Sequence, residues 1–156
     1  MKTITYNYRS GLEVIPRDVL DSVMSVISSI DHNLGRYDIK DFKESLTNQL
    51  MMKGWSGKIR LSTKSSISIT SIWKDIGLCT QTGNMARMYA DTLKLQSLYM
   101  DQKIKAAIFV LPTKDCANSF GTNIANFNRF LNELTNIFYR VITVPMVVIG
   151  FGNDED

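Results

Sequence analysis

The run WKDIGLCTQTGN, residues 73–84, sets Cys79 and Gln81 two positions apart in a β-prone segment. Residues i and i+2 of a strand share a face, so the thiol and the amide would look into the same space. A thiolate there would serve as a nucleophile if a base stood beside it. The chain holds one histidine, His32, which the sequence places near the end of an N-terminal helix. As a metal ligand a thiolate is soft and suits Mg²⁺ poorly. The plainer reading of Cys79, a neutral thiol packed as a small hydrophobe, is therefore preferred.

Carboxylates are scarce around this strand. Asp75 is the only acid between Gly54 and Gln81, and it falls in the WKD turn, where a solvated turn residue is the expectation. Glu44 sits on a preceding helix and reads as a surface charge. Lys53, Lys58, Arg60 and Lys64 gather around the same segment. They are candidate contacts to nucleic-acid phosphates, although basic residues on strand edges also discourage aggregation. Arg87 and Lys94, further on, read as a solvated stripe. With Cys79 and Cys116 in no CxxC pair and His32 alone, the chain cannot assemble a Cys/His zinc site.

The elements that must position these groups follow from periodicity. TITYNY alternates Ile4, Tyr6 and Tyr8, as a short strand or an ordered arm would. PRDVLDSVMSVISSIDHNLG predicts a helix, with Pro16 in its first turn, Val19, Val23, Val26 and Ile30 on one stripe, and Gly35 at its end. DIKDFKESLTNQLMMKG predicts a second, with Asp38 as N-cap and Ile39, Phe42, Leu46 and Leu50 as its stripe. GKIRLS, SISITSIW and IGLCTQTG read as a meander of strands. NMARMYADTLKLQSLYMDQK predicts a long helix apolar on two sides: Met85, Met88, Thr92, Leu95 and Tyr99 on one, Ala86, Ala90, Leu93 and Met100 on the other. KAAIFVLP and VITVPMVVIGF read as buried strands, with Pro145 at a bulge or near a strand end. Between them KDCANSF predicts a short helix, and TNIANFNRFLNELTNIFYR a longer one with the stripe Ile124, Phe127, Leu131, Leu134 and Phe138.

The expected fold class is α/β, a mixed central sheet flanked by helices, preceded by N-terminal helices. A chain of 156 residues suits a single domain, 1–156. Its 44% apolar content is ordinary for a globular protein, and its +3 net charge is compatible with nucleic acid without demanding it. The absence of a long apolar run and of a signal-like start leads to a cytoplasmic expectation.

In this order, GLCTQTGN, KAAIFVLPTK, NIANFNRF and PMVVIGF resemble the PD-(D/E)XK restriction endonucleases, and among them the BamHI/BglII group, over roughly residues 57–151. The resemblance implies a divalent-metal site: an Asp on one strand, a Glu on the next, and a third group two residues after the Glu. Gln81 matches the third position, and Gly83 with Asn84 matches the turn into the helix. Cys79 falls where the Glu belongs, and the strand before it, Ser66–Ser71, has no acid. The expectation is a catalytically degenerate relative, DNA-binding or a subunit of a restriction or antiviral defence assembly, with no cofactor. The alternatives are an active Mg²⁺ endonuclease drawing on Asp75 and Glu44, and a protein-interaction module without DNA. The resemblance also implies a homodimer on the helices 84–103 and 123–139, with Met88, Leu95, Tyr99 and Phe127 at the interface.

Overall fold

The computed structural model describes residues 1–30 and 39–152. In chain order its elements are β1 (Lys2–Tyr8), α1 (Gly11–Val14), α2 (Arg17–Ser29), α3 (Ile39–Met52), β2 (Ile59–Arg60), β3 (Ser68–Ile69), β4 (Ser71–Trp73), β5 (Ile76–Thr80), α4 (Met85–Met100), β6 (Ala106–Pro112), α5 (Lys114–Phe120), α6 (Phe127–Asn136), a 3-10 turn (Phe138–Arg140) and β7 (Met146–Gly152). The main sheet runs β1-β7-β6-β5-β4. β5, β6 and β7 are parallel, while β1 and β4 close the two edges antiparallel. This is the mixed, helix-flanked sheet expected. The helix end at Gly35, His32 and the cap at Asp38 lie outside the described residues.

Every residue of β6 and β7 is buried, which is why both segments read as unbroken apolar runs rather than alternating ones. Alternation instead sorts them between two cores. Ile76, Leu78, Ala106, Ile108, Val110, Val147, Ile149 and Phe151 pack with α2 and α3. Cys79, Ala107, Phe109, Leu111, Met146 and Val148 pack with α4 and α6. Pro145 stands immediately before β7 and lends its carbonyl to Ala107 N–H, so its missing donor costs the ladder nothing.

The meander departs from expectation. The Thr70 N–H still pairs with Leu78 O, but β2 and β3 leave the main sheet and form a separate two-stranded sheet. The last long helix is also shorter than its stripe suggests. Asn123 adopts φ 58, a left-handed conformation that interrupts a helix, and Asn126 then caps α6 by accepting from Arg129 N–H. Ile124 thus packs from outside the helix.

The two apolar sides of α4 are real but unequal. Met88 and Leu95 are fully buried inside the chain, facing the sheet, and Phe127 is only 4% exposed in the same core. These three expected interface residues are therefore core, because covering the sheet takes the larger side chains first. Tyr99 is half-buried beside them. What α4 leaves in solvent is its other side, where Leu93 is 58% and Met100 72% exposed.

Candidate nucleic-acid interface

The C-terminal end of β5 opens into a cleft of about 530 Å³. Ligand sites in open α/β sheets commonly form outside the carboxyl ends of strands. Cys79, Thr80 and Gln81 form the floor, Arg87, Ala90, Asp91 and Lys94 of α4 one wall, and Lys43 and Thr47 of α3 the other. Lys58 and Ser68–Thr70 complete the rim.

Strand alternation puts Cys79 and Gln81 on the α4 side, as their spacing predicts. Cys79 is 2% exposed. Burial, reinforced by the nearby Asp91 carboxylate, raises its pKa well above that of an ordinary thiol, so it is neutral at any physiological pH. Gln81 folds back over the floor: its Oε1 accepts from Gly83 N–H at 2.7 Å, and its Nε2 donates to Asp91 Oδ2 at 2.5 Å. Gly83 permits this, since a Cβ there would sit 2.9 Å from Gln81 Oε1. The other Asp91 oxygen accepts from Lys94 Nζ at 2.6 Å. Both oxygens of the cleft carboxylate are thus engaged.

Of the four lysines and arginines singled out around the meander, Lys58 lines the cleft. Arg60 on β2 and Lys64 in the β2–β3 turn are exposed beside it, whereas Lys53 lines a different depression with Asp18, Asp21 and Trp73. Asp75 lies at the opposite end of β5, at φ 62 in the turn, paired with Lys105 at 3.3 Å. Glu44 is exposed on α3 and is not part of the cleft lining. Asp91 and Lys43 were not legible as site residues; Arg87 is exposed as the solvated-stripe reading expects, and both it and the half-buried Lys94 line the cleft. Their signal lay in spacing: Arg87, Asp91 and Lys94 stand at i, i+4 and i+7, one face of a helix that starts directly after QTGN.

The balance is strongly cationic. Among the described residues, Lys43, Lys58, Arg87 and Lys94 face a single carboxylate. Burial lowers the pKa of Lys43; Asp91 opposes that shift and Arg87 adds to it. Thr80 Oγ1 is buried without a hydrogen-bond partner, which is uncommon for such an atom.

The Mg²⁺ implied by the resemblance does not fit this donor set. Mg²⁺ is held through one or two free carboxylates. Here Thr70 and Cys79 offer a hydroxyl and a neutral thiol, and an ammonium already occupies Asp91. Among the described residues no group of three His, Cys, Asp or Glu side chains gathers to hold a metal.

The sequence signature of the family described as restriction endonuclease BglII/BglIII matches residues 3–151. The chain belongs to that family. No curated protein matches its sequence. Among solved structures it is similar to restriction endonuclease BglII complexed with a DNA 16-mer, with a TM-score of 0.85 at 14% identity over 99% of this chain and 78% of that one. It is likewise similar to free BglII, with a TM-score of 0.72 at 16% identity over 99% of this chain and 81% of that one. The fold is thus a restriction-endonuclease fold, and no helix among the described residues is long and apolar enough to cross a membrane.

Proposed function

We propose that this family member binds DNA and has lost metal-dependent cleavage, serving as a DNA-binding protein or subunit in a restriction or antiviral defence assembly. The observation that carries the reading is the cleft itself. Its strand positions bear Cys79 and Gln81, and its one carboxylate among the described residues is held by Lys94 and Gln81. A surface with four cations around one engaged acid attracts phosphates, yet it offers nothing to lower the pKa of an attacking water. Asp75 and Glu44, the acids an active alternative would need, stand away from the cleft. The test is incubation with plasmid DNA in Mg²⁺ and in Mn²⁺, alongside gel-shift at low salt. Duplex binding without nicking is expected. Cleavage that survives stringent purification and disappears in Gln81→Ala would overturn the reading, and absence of binding at low salt would favour a protein-interaction module.

We also infer a homodimer, now on the solvent side of α4. Ala86, Leu93, Ser97 and Met100 are all exposed there and follow one another at spacings of seven, four and three, the spacing of a helix–helix seam. Sedimentation equilibrium at micromolar concentration should give a dimer mass, and Leu93→Glu/Met100→Glu should give a folded monomer. A monomeric mass for the wild-type chain would overturn it.

A further inference from the structure

We propose that the cleft is a metal-independent phosphodiester grip, in which Arg87, Lys43 and Lys58 hold a backbone phosphate of duplex DNA over a fixed Lys94–Asp91 pair. The proposal rests on the DNA-binding reading and adds to it the group bound, the residues that bind it and the absence of a cation requirement.

The argument begins with which charges are already spent. Lys94 and Asp91 neutralise one another at 2.6 Å, with both side chains largely withdrawn from solvent. Gln81 fixes the second carboxylate oxygen, so Asp91 cannot rotate to meet another partner. Arg87, Lys43 and Lys58 make no ion pair with an acid among the described residues, and all three line the same cleft. Three cations without an ion-pair partner among the described residues, on three separate segments, thus face one space, exposed to solvent and open to an anion.

Shape and chemistry suit a phosphodiester. The Arg87 side chain lines the cleft and packs against Gly83, with Cδ and Nη1 3.4 and 3.5 Å from the point a Gly83 Cβ would occupy. A guanidinium offers a planar fork of donors that matches two phosphate oxygens. Lys43 already responds to its neighbours: burial lowers its pKa, Asp91 opposes that shift, and Arg87 adds to it by a smaller amount. A bound phosphate would act on Lys43 in the same direction as Asp91 and offset the Arg87 effect.

The sign of one substitution separates this site from a metal site. Where a carboxylate holds a cation that in turn holds phosphate, removing the carboxylate weakens binding. Here the carboxylate pairs with Lys94 and acts on Lys43 from a distance, so Asp91→Asn frees a fourth cation and should tighten binding severalfold. Lys94→Met leaves Asp91 unopposed beneath the phosphate and should weaken it, and the double substitution should return it close to wild type.

Fluorescence anisotropy with a labelled random-sequence DNA duplex, in EDTA and in Mg²⁺ across a salt series, tests this. Binding in EDTA should be at least as tight as in Mg²⁺. Arg87→Ala, Lys43→Ala and Lys58→Ala should each flatten the slope of log K against log salt by about 0.9, while the remote Lys103→Ala should leave it unchanged. Duplex binding that requires Mg²⁺, that weakens in Asp91→Asn, or that ignores the three cation substitutions overturns the grip and leaves the DNA-binding reading intact. Tighter binding to duplex RNA of equal length overturns the DNA assignment. If no duplex binds at low salt, the DNA-binding reading falls, and the grip is read separately with inorganic pyrophosphate. A shift of the Arg87 Nε resonance then supports a phosphate site, and its absence overturns that too. Should Asp91→Asn fail to fold, Lys94→Met carries the same test: unchanged or tighter binding in that variant counts against the proposal.

Discussion

Where β5 begins, Gly77 lies beneath Leu95 and Ile104, so close that a Cβ on it would touch both side chains. Where β5 ends, Gln81 reaches Asp91 on the same helix through a 2.5 Å hydrogen bond. One strand and one helix thus meet twice. The first meeting is hydrocarbon, sealed between the sheet and α4. The second is polar, opens to solvent, and holds an acid with its partners in place of packed methyl groups. A single strand–helix unit therefore separates the task of holding the fold from the task of presenting charge, and substitutions at its two ends should be felt in different measurements.

The largest effect should come from the hydrocarbon end. Leu95 is fully buried, whereas Leu93, two residues away, is 58% exposed. In the monomeric Met100→Glu background, Leu95→Ala should cost about 2–5 kcal/mol of stability, and Leu93→Ala should stay within about 0.5 kcal/mol. Urea denaturation of the two variants measures both. Equal losses would mean that α4 does not divide into a core side and a free side.

At the polar end Asp91→Ala should cost less, about 1.5–3 kcal/mol, because it strips Lys94 and Gln81 of a shared charged acceptor. Thermal unfolding in the presence and absence of the Lys94→Met change gives the coupling between them. No coupling would mean that the 2.6 Å contact contributes nothing to the fold.

The sequence made the hydrocarbon end far more legible than the polar one, and the reason is physical. Periodicity reports which residues leave water, so β6, β7 and the buried side of α4 could be read directly from KAAIFVLP, PMVVIGF and the spacing of Met85, Met88 and Leu95. The same periodicity shows a second apolar side on α4 without saying which side meets the sheet, and the interface that the resemblance implies at Met88, Leu95 and Phe127 is core in the structure. A cleft is made by segments distant in sequence. Lys43, Lys58 and Arg87 come from α3, a loop and α4, and nothing local marks them as neighbours. Cys79 and Gln81 were legible because a strand fixes their common face within three residues. Asp91 was not, because its role depends on a side-chain contact with Gln81 ten residues earlier across the strand–helix turn.

The thiol offers a smaller and more local comparison. Cys79 sits at the boundary between the two ends, and burial with the Asp91 charge beside it holds its thiol neutral. Reactivity belongs to the thiolate, so iodoacetamide at pH 8 should leave Cys79 unlabelled in the folded protein and label it readily in urea. Mass spectrometry of the Cys79 peptide reads this. Rapid labelling in the native state would place a thiolate on the cleft floor and reopen nucleophilic chemistry there.

The smallest effect should be the most telling about what the cleft costs. Burial lowers the pKa of Lys43 from the ordinary lysine value of 10.5. In the window between its folded value and 10.5, the unfolded chain binds the proton more often than the folded one, so stability rises with pH there, and the penalty is fully present below the folded value. Lys43→Met removes the charge while keeping a long apolar stem. It should raise the melting temperature slightly at pH 7, and the difference from wild type should vanish as pH approaches 10.5. The same substitution should weaken duplex binding at pH 7, since it removes one of the cations facing the phosphate. Stability and binding moving in opposite directions is what a group held for function against the preference of the fold would show. A Lys43→Met variant that is less stable at pH 7 would instead make Lys43 an ordinary contributor to the fold and erase the contrast between the two ends of the strand–helix unit at this position.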